Sequence, residues 1–124
     1  MNSKGFTLLE SVIALAILSI TLVGMLPAFQ TFMDANTLSE ERSNALAAAQ
    51  VVMEALRHKD PSSLPSSGSS AIEAVQVGAH EYEVVTHFCQ NSSYCGSDIR
   101  HIAVEVSFAG KSVYTIETVF TRLH

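Results

Sequence analysis

Residues 1–26, MNSKGFTLLESVIALAILSITLVGML, decide what the rest of the chain can build. Residues 6–26 hold no Lys, Arg, His or Asp, and Glu10 is their single charged side chain. At about 1.5 Å per residue, a helix of that length spans roughly 30 Å, the depth of a bilayer's hydrocarbon core. The run is too long for the apolar core of a secretory signal. Pro27 follows it without the small-residue cleavage pattern of such a signal. The stretch therefore predicts a retained single-pass membrane helix, with any cleavage placed before it.

Charge sets the topology. Lys4 precedes the apolar run, while Asp34, Glu40 and Glu41 follow it. The positive-inside rule places the N-terminus in the cytoplasm and exports the C-terminal body.

Glu10 needs an explanation of its own. A carboxylate within a spanning segment is costly, and such residues usually have a partner and a function. No cation lies within a helical turn or two of it downstream of Gly5. Either its partner belongs to another chain, or it sits near the headgroups, protonated or snorkelling and idle. The residues alone leave both readings open.

The segment Lys4-Gly5-Phe6-Thr7-Leu8-Leu9-Glu10 resembles the processing site of type IV prepilins and type II secretion pseudopilins. The resemblance implies a five-residue leader, 1–5, removed by a prepilin peptidase that cuts between Gly5 and Phe6 and N-methylates Phe6. It also implies a role for Glu10 in assembly, pairing with the terminal amine of a neighbouring subunit and fixing the stagger of packed helices. Pro27, with Gly24 beside it, predicts a kink or loosening near the outer end, because proline lacks a donor and crowds the carbonyl of Val23. Filament-forming relatives often carry a proline there and lose helical order around it on assembly. The stretch 45–57, alanine-rich with a Glu-x-x-Arg end, is similar to PilV-like minor pilins and I-type minor pseudopilins. The partners implied are other pilin or pseudopilin subunits, the prepilin peptidase and the inner membrane. No cofactor is implied.

At 124 residues the chain has room for the assembly helix, 6–33, and one exported domain, 34–124, with a modest core. The formal net charge is −5 and becomes −6 if Lys4 leaves with the leader. An acidic body of this kind lacks the basic surface that supplies most sequence-independent nucleic-acid affinity, so no direct nucleic-acid binding is expected.

Beyond Pro27 helix formers continue. Leu38, Ala45, Ala49, Val52, Met53 and Leu56 recur at helical spacing, with small residues at Ala45, Ala48 and Ala49 that let another element approach closely. A coiled coil is the rival reading, weakened by the lack of consistently bulky seam residues. The helix is expected to end near Asp60, since Pro61 disfavours helical geometry before it. Residues 61–71, rich in Ser and Pro, read as an exposed connector.

After residues 72–77, β-branched and aromatic residues alternate. Three runs, 80–88, 99–108 and 112–123, read as strands, with Ala109-Gly110-Lys111 joining the last two as a hairpin. The expected fold is α+β: a long N-terminal helix whose outer part packs on a three-stranded antiparallel sheet over residues 79–123, one face dry and one wet, as in pilins.

Cys89 and Cys95 sit in the loop between the first two runs. An exported compartment favours a disulfide, worth about 2.4 kcal/mol by chain entropy for so small a ring. A lone C-x5-C lacks the paired spacing of a zinc site. The histidines His58, His80, His87, His101 and His124 read as solvated surface residues, with His80 and His87 on opposite faces of one strand. No metal site is expected. No nucleophile with a positioned base and no phosphate loop is present in the sequence, so no enzyme is expected. Three functions stay in view: a minor pilin or pseudopilin subunit, an uncleaved bitopic anchor carrying a small binding domain, and an exported enzyme or binder, which the missing constellation disfavours. Twitching, adhesion, DNA uptake in competence and protein secretion all use the first architecture.

Overall fold

A computed structural model describes residues 5–122. Its fold is α+β, with elements in the order α1 (Leu8–Arg57), β1 (Gly68–Ser69), β2 (Glu73–Val77), β3 (His80–Phe88), β4 (Ile99–Phe108) and β5 (Lys111–Thr121). Short 3-10 turns occupy Pro61–Ser63 and Ser92–Tyr94. The chain divides into two compact units at Leu38/Ser39.

The first unit is helix. α1 is assigned as helix throughout Leu8–Arg57, with Gly24 and Pro27 inside it. Proline's fixed φ near −65° is itself helical, and long helical stretches on both sides hold the backbone there. Hydroxyls along this unit bond back to the helix: Ser19 Oγ donates to Leu15 O at 2.7 Å, Thr21 Oγ1 to Leu18 O at 2.8 Å and Thr31 Oγ1 to Pro27 O at 2.9 Å. Each polar group thereby carries its own partner, as a lipid environment requires.

The second unit builds a core between the end of α1 and one face of the sheet. Ala45, Ala48, Ala49, Val52 and Leu56 are buried on the helix. Val75, Tyr82, Val84, Phe88, Ile102, Val104 and Val106 meet them from the strands. Ala45, Ala48 and Ala49 are fully buried, so the sheet approaches the helix backbone closely at that point. Leu38, expected on the same stripe, is exposed. Strands of this length cover only the last few turns of a helix.

The sheet is antiparallel throughout and has five strands rather than the expected three. β3, β4 and β5 are the three runs read from alternation, with β5 covering Lys111–Thr121; residue 123 of the expected 112–123 lies outside the described residues. The two additional strands share one edge of β3. β1 pairs with His87 and Phe88, and β2 with the segment from Val84 to His80. Both arise where the sequence was read as a connector or a transition. The 61–71 segment is therefore not a simple exposed connector: Leu64 is buried, Ser70 N donates to Thr86 O at 2.7 Å, and Thr86 N donates to Ser70 Oγ at 3.0 Å.

Two tight turns set the register. Gly78, at the first loop position between β2 and β3, has φ 62°, where a type II′ hairpin takes glycine. Ala109 (φ 50°) and Gly110 (φ 76°) form the whole β4–β5 loop, with Phe108 paired to Lys111. Two successive left-handed residues are the type I′ pattern. The pairing shifts by one residue between Val106 and Ser107, leaving Val113 as the extra residue on β5.

α1 ends at Arg57, a turn earlier than the proline alone suggested. Lys59 N donates to Leu56 O at 3.0 Å, a tightened last turn. Asp60 then caps the following 3-10 turn, accepting from Ser62 N at 2.9 Å and Ser62 Oγ at 2.7 Å, and pairs with Arg122 at 3.3 Å. The hydrogen bonds from Ser62, with the Arg122 charge adding to them, hold its carboxyl below the ordinary carboxylate value.

Candidate functional site

The processing motif meets the helix at its first turn. Gly5, Phe6 and Thr7 lie outside regular structure, immediately before α1. Phe6 is exposed, and a Cβ added at Gly5 would meet nothing within 4 Å. Met1 to Lys4 of the expected leader lie outside the described residues. So does His124.

Thr7 is the N-cap: its Oγ1 accepts from Glu10 N at 3.2 Å, and its carbonyl accepts from Ser11 N at 3.1 Å. Thr7-Leu8-Leu9-Glu10 has the T-x-x-E spacing of a capping box. Thr7 was not singled out from the sequence, although that four-residue spacing marks where a helix begins. Glu10 lies in the first turn, where the helix dipole favours negative charge. Among the described residues it makes no ion pair.

Downstream of Glu10 the helix presents large apolar side chains on every side. Leu15, Ile17, Ile20, Val23, Leu26 and Phe29 are all more than half exposed. α1 is long and apolar enough to cross a membrane, and none of its most apolar stretch is buried within the chain. Soluble domains do not leave such a surface to water.

In the second unit Cys89 and Cys95 are joined by a disulfide, with their Cα atoms 5.8 Å apart. The ring is stitched to β4, because Cys89 N donates to His101 O at 2.8 Å and His101 N donates to Cys95 Sγ at 3.4 Å. Arg100 holds the same region from another direction, donating to the carbonyls of Leu64, Ile99 and Gly96.

The histidines do not form one class. His58 is exposed beside Glu54, and His80 packs edge-on against Phe108 with ring centroids 5.3 Å apart. His87 Nε2 lies 3.5 Å from Glu105 Oε2 across the β3–β4 pair. His101 corrects the expectation of solvated histidines, because it is only 4% exposed. It sits on a central strand bonded to the disulfide ring, with Nε2 3.4 Å from Glu117 Oε2 and Nδ1 without a partner. It pairs with Val119 on β5 and its carbonyl accepts from Cys89 N on the other side, a setting that no local sequence pattern marks. Among the described residues no three His, Cys, Asp or Glu side chains are grouped to hold a metal ion.

Comparison with protein-family models finds a match to the prokaryotic N-terminal methylation motif over residues 1–26. Comparison with curated proteins and with solved structures gives no match. The matched residues are about a fifth of the chain and comprise the expected leader, Gly5, Phe6, Glu10 and the start of α1. The chain thus carries a type IV pilin-like prepilin signal at its N-terminus.

Proposed function

We propose that the protein is a minor type IV pilin-like subunit, cut between Gly5 and Phe6, N-methylated on Phe6 and assembled through α1 into a pilus. The observation that carries the reading is the junction at Thr7. Within the matched prepilin signal, Gly5 and Phe6 lie in irregular, accessible backbone, and a capped, uncovered apolar helix begins immediately after them. Lipid covers that helix before assembly, and the equivalent helices of neighbouring subunits cover it afterwards.

In this reading the exported domain, 34–124, lies on the periplasmic or extracellular side and the N-terminus in the cytoplasm. Cleavage creates a terminal amine at the start of each apolar helix. Glu10 receives the amine of the adjacent subunit, which neutralises both charges in a dry interior and fixes the axial stagger. Its lack of an ion partner within the described residues supports this role. The work of such a subunit is to help start or cap the filament with other minor subunits, in a pilus or in the pseudopilus of a secretion system.

Glu10→Ala tests the assembly step. The variant is expected to be cleaved normally and to fall at least tenfold in the sheared filament fraction while persisting in the membrane. Normal recovery in filaments would refute the pairing role.

A further inference from the structure

The sheet of the exported domain has two open edges. Among the described residues, β5 pairs with β4 alone, and β2 with β3 alone. Over residues 114–121 the β5 edge carries Glu117 as its one charged residue and has no proline or glycine. Long, weakly charged edges of this kind invite pairing with another strand unless something covers them. A groove follows this edge, between Thr118, Val119 and Thr121 on β5 and Ala47, Val51 and Ala55 on the flank of α1. Val51 is 56% exposed and Val119 39% exposed.

We propose that the β5 edge of one copy receives the β2 edge of a second copy, so that the sheet continues from copy to copy in head-to-tail fashion. Strand direction is the first argument. The ladder β2-β3-β4-β5 alternates in direction over four positions, so β2 and β5 run opposite ways. A second copy in the same orientation therefore presents β2 antiparallel to β5, and the added pair repeats the pairing already present inside the sheet.

Charge chooses the same pairing. The β2–β3 hairpin, residues 73–88, contains Glu73, Glu81 and Glu83 and no lysine or arginine. The β5 side holds Arg57 and Lys59, which line the groove, and Lys111 at the start of the strand. Glu54 in the groove is engaged with Arg57 and His58, whereas Lys59 and Lys111 have no ion partner among the described residues. Two β2 edges brought together would oppose carboxylates to carboxylates. A β2 edge against a β5 edge brings Glu73 toward Arg57 and Lys59 of the groove, while Glu117 of β5 lies beside His101 Nε2 at 3.4 Å.

The apolar surface agrees. Ile72, one residue before β2 and in phase with the outward Ala74 and Gln76, is 67% exposed. Val119 points to the same face of the sheet, in phase with the exposed Glu117 and Thr121. Joining the edges brings each under partial cover. The contact is heterologous and leaves a free edge at each end, so it extends to further copies. It concerns the exported domain alone and does not depend on cleavage after Gly5. It also narrows the minor-subunit reading to one in which copies adjoin.

The test places photoreactive p-benzoylphenylalanine at Val119 of the full chain in its membrane, beside a differently tagged copy without the probe. Intact Cys89–Cys95 disulfide, checked by thiol labelling, reports that the domain has folded. The expected result is an adduct between position 119 and the 72–77 segment of the other copy. Its yield should fall at least fivefold when that copy carries Glu73→Lys, Glu81→Lys and Glu83→Lys, and recover when the probe copy carries Lys59→Glu and Lys111→Glu. An adduct mapping to residues 111–121 of the second copy, adducts to other proteins only, or no adduct from the folded chain would each overturn the proposal.

Discussion

Two stretches of α1 are both apolar and are covered in opposite ways. In residues 8–33 the apolar side chains are large, and Leu8 (83% exposed) and Ile20 (73%) touch little of their own chain. In residues 45–56 the buried positions are mostly alanine, and Ala45, Ala48 and Ala49 have no exposed surface. Bulk on every side of a helix suits a fluid or interchangeable neighbour such as lipid or other helices. Small residues on one stripe suit a fixed sheet that approaches closely. The kind of apolar residue thus tells whether a helix's partner lies inside the chain or outside it.

The largest effect that could break this contrast comes from the core. Ile102→Ala, at a fully buried position on β4, should cost the exported domain about 2–5 kcal/mol. Ile17→Ala, 58% exposed on the helix, should leave the domain's unfolding midpoint within about 0.5 kcal/mol of the parent. Denaturation of the detergent-solubilised full chain, followed by tyrosine fluorescence, measures both. Equal losses would erase the distinction between the two stretches.

The disulfide should come next. Replacing Cys89 and Cys95 together by Ser should lower stability by about 2 kcal/mol. His101 should also become more accessible to solvent, because its backbone is bonded to the ring. Unchanged melting, together with unchanged histidine modification by diethyl pyrocarbonate, would remove the ring from the architecture of β4.

The smallest effect belongs to Asp60. Its carboxyl is held low by Ser62 and Arg122, so its contribution is fully present above the ordinary carboxylate value of about 4 and is lost as pH falls through the lower folded value. Asp60→Asn should lower the domain's stability slightly at neutral pH, where the carboxylate contributes, and flatten its pH dependence in that acidic window. An identical acid profile in parent and variant would show that the cap does not couple to folding.

Much of this fold is legible in the residues. The apolar run, the alanine stripe and the alternation in 80–88 and 99–108 each bury enough surface to impose a period. β1 and β2 are harder to see. Gly68 and Ser69 join the sheet through backbone bonds, which carry no side-chain pattern, and Glu73–Val77 is too short for its alternation to stand out. His101 was misread because burial on the outer face of a strand depends on a loop folding back, which no local pattern encodes. At the N-terminus the motif was plain, while Thr7 was passed over in favour of the acid three residues on, although both belong to the same helix start.

The central claim is that this N-terminus enters the prepilin pathway. Mass spectrometry of the N-terminal peptide from the membrane fraction, in cells with and without their prepilin peptidase, tests it most directly. The predicted result is a peptide beginning at N-methylated Phe6 only when the peptidase is present. A peptide beginning at Met1 in both would contradict it, and would leave an uncleaved membrane anchor in which Glu10 has no neighbouring amine to meet.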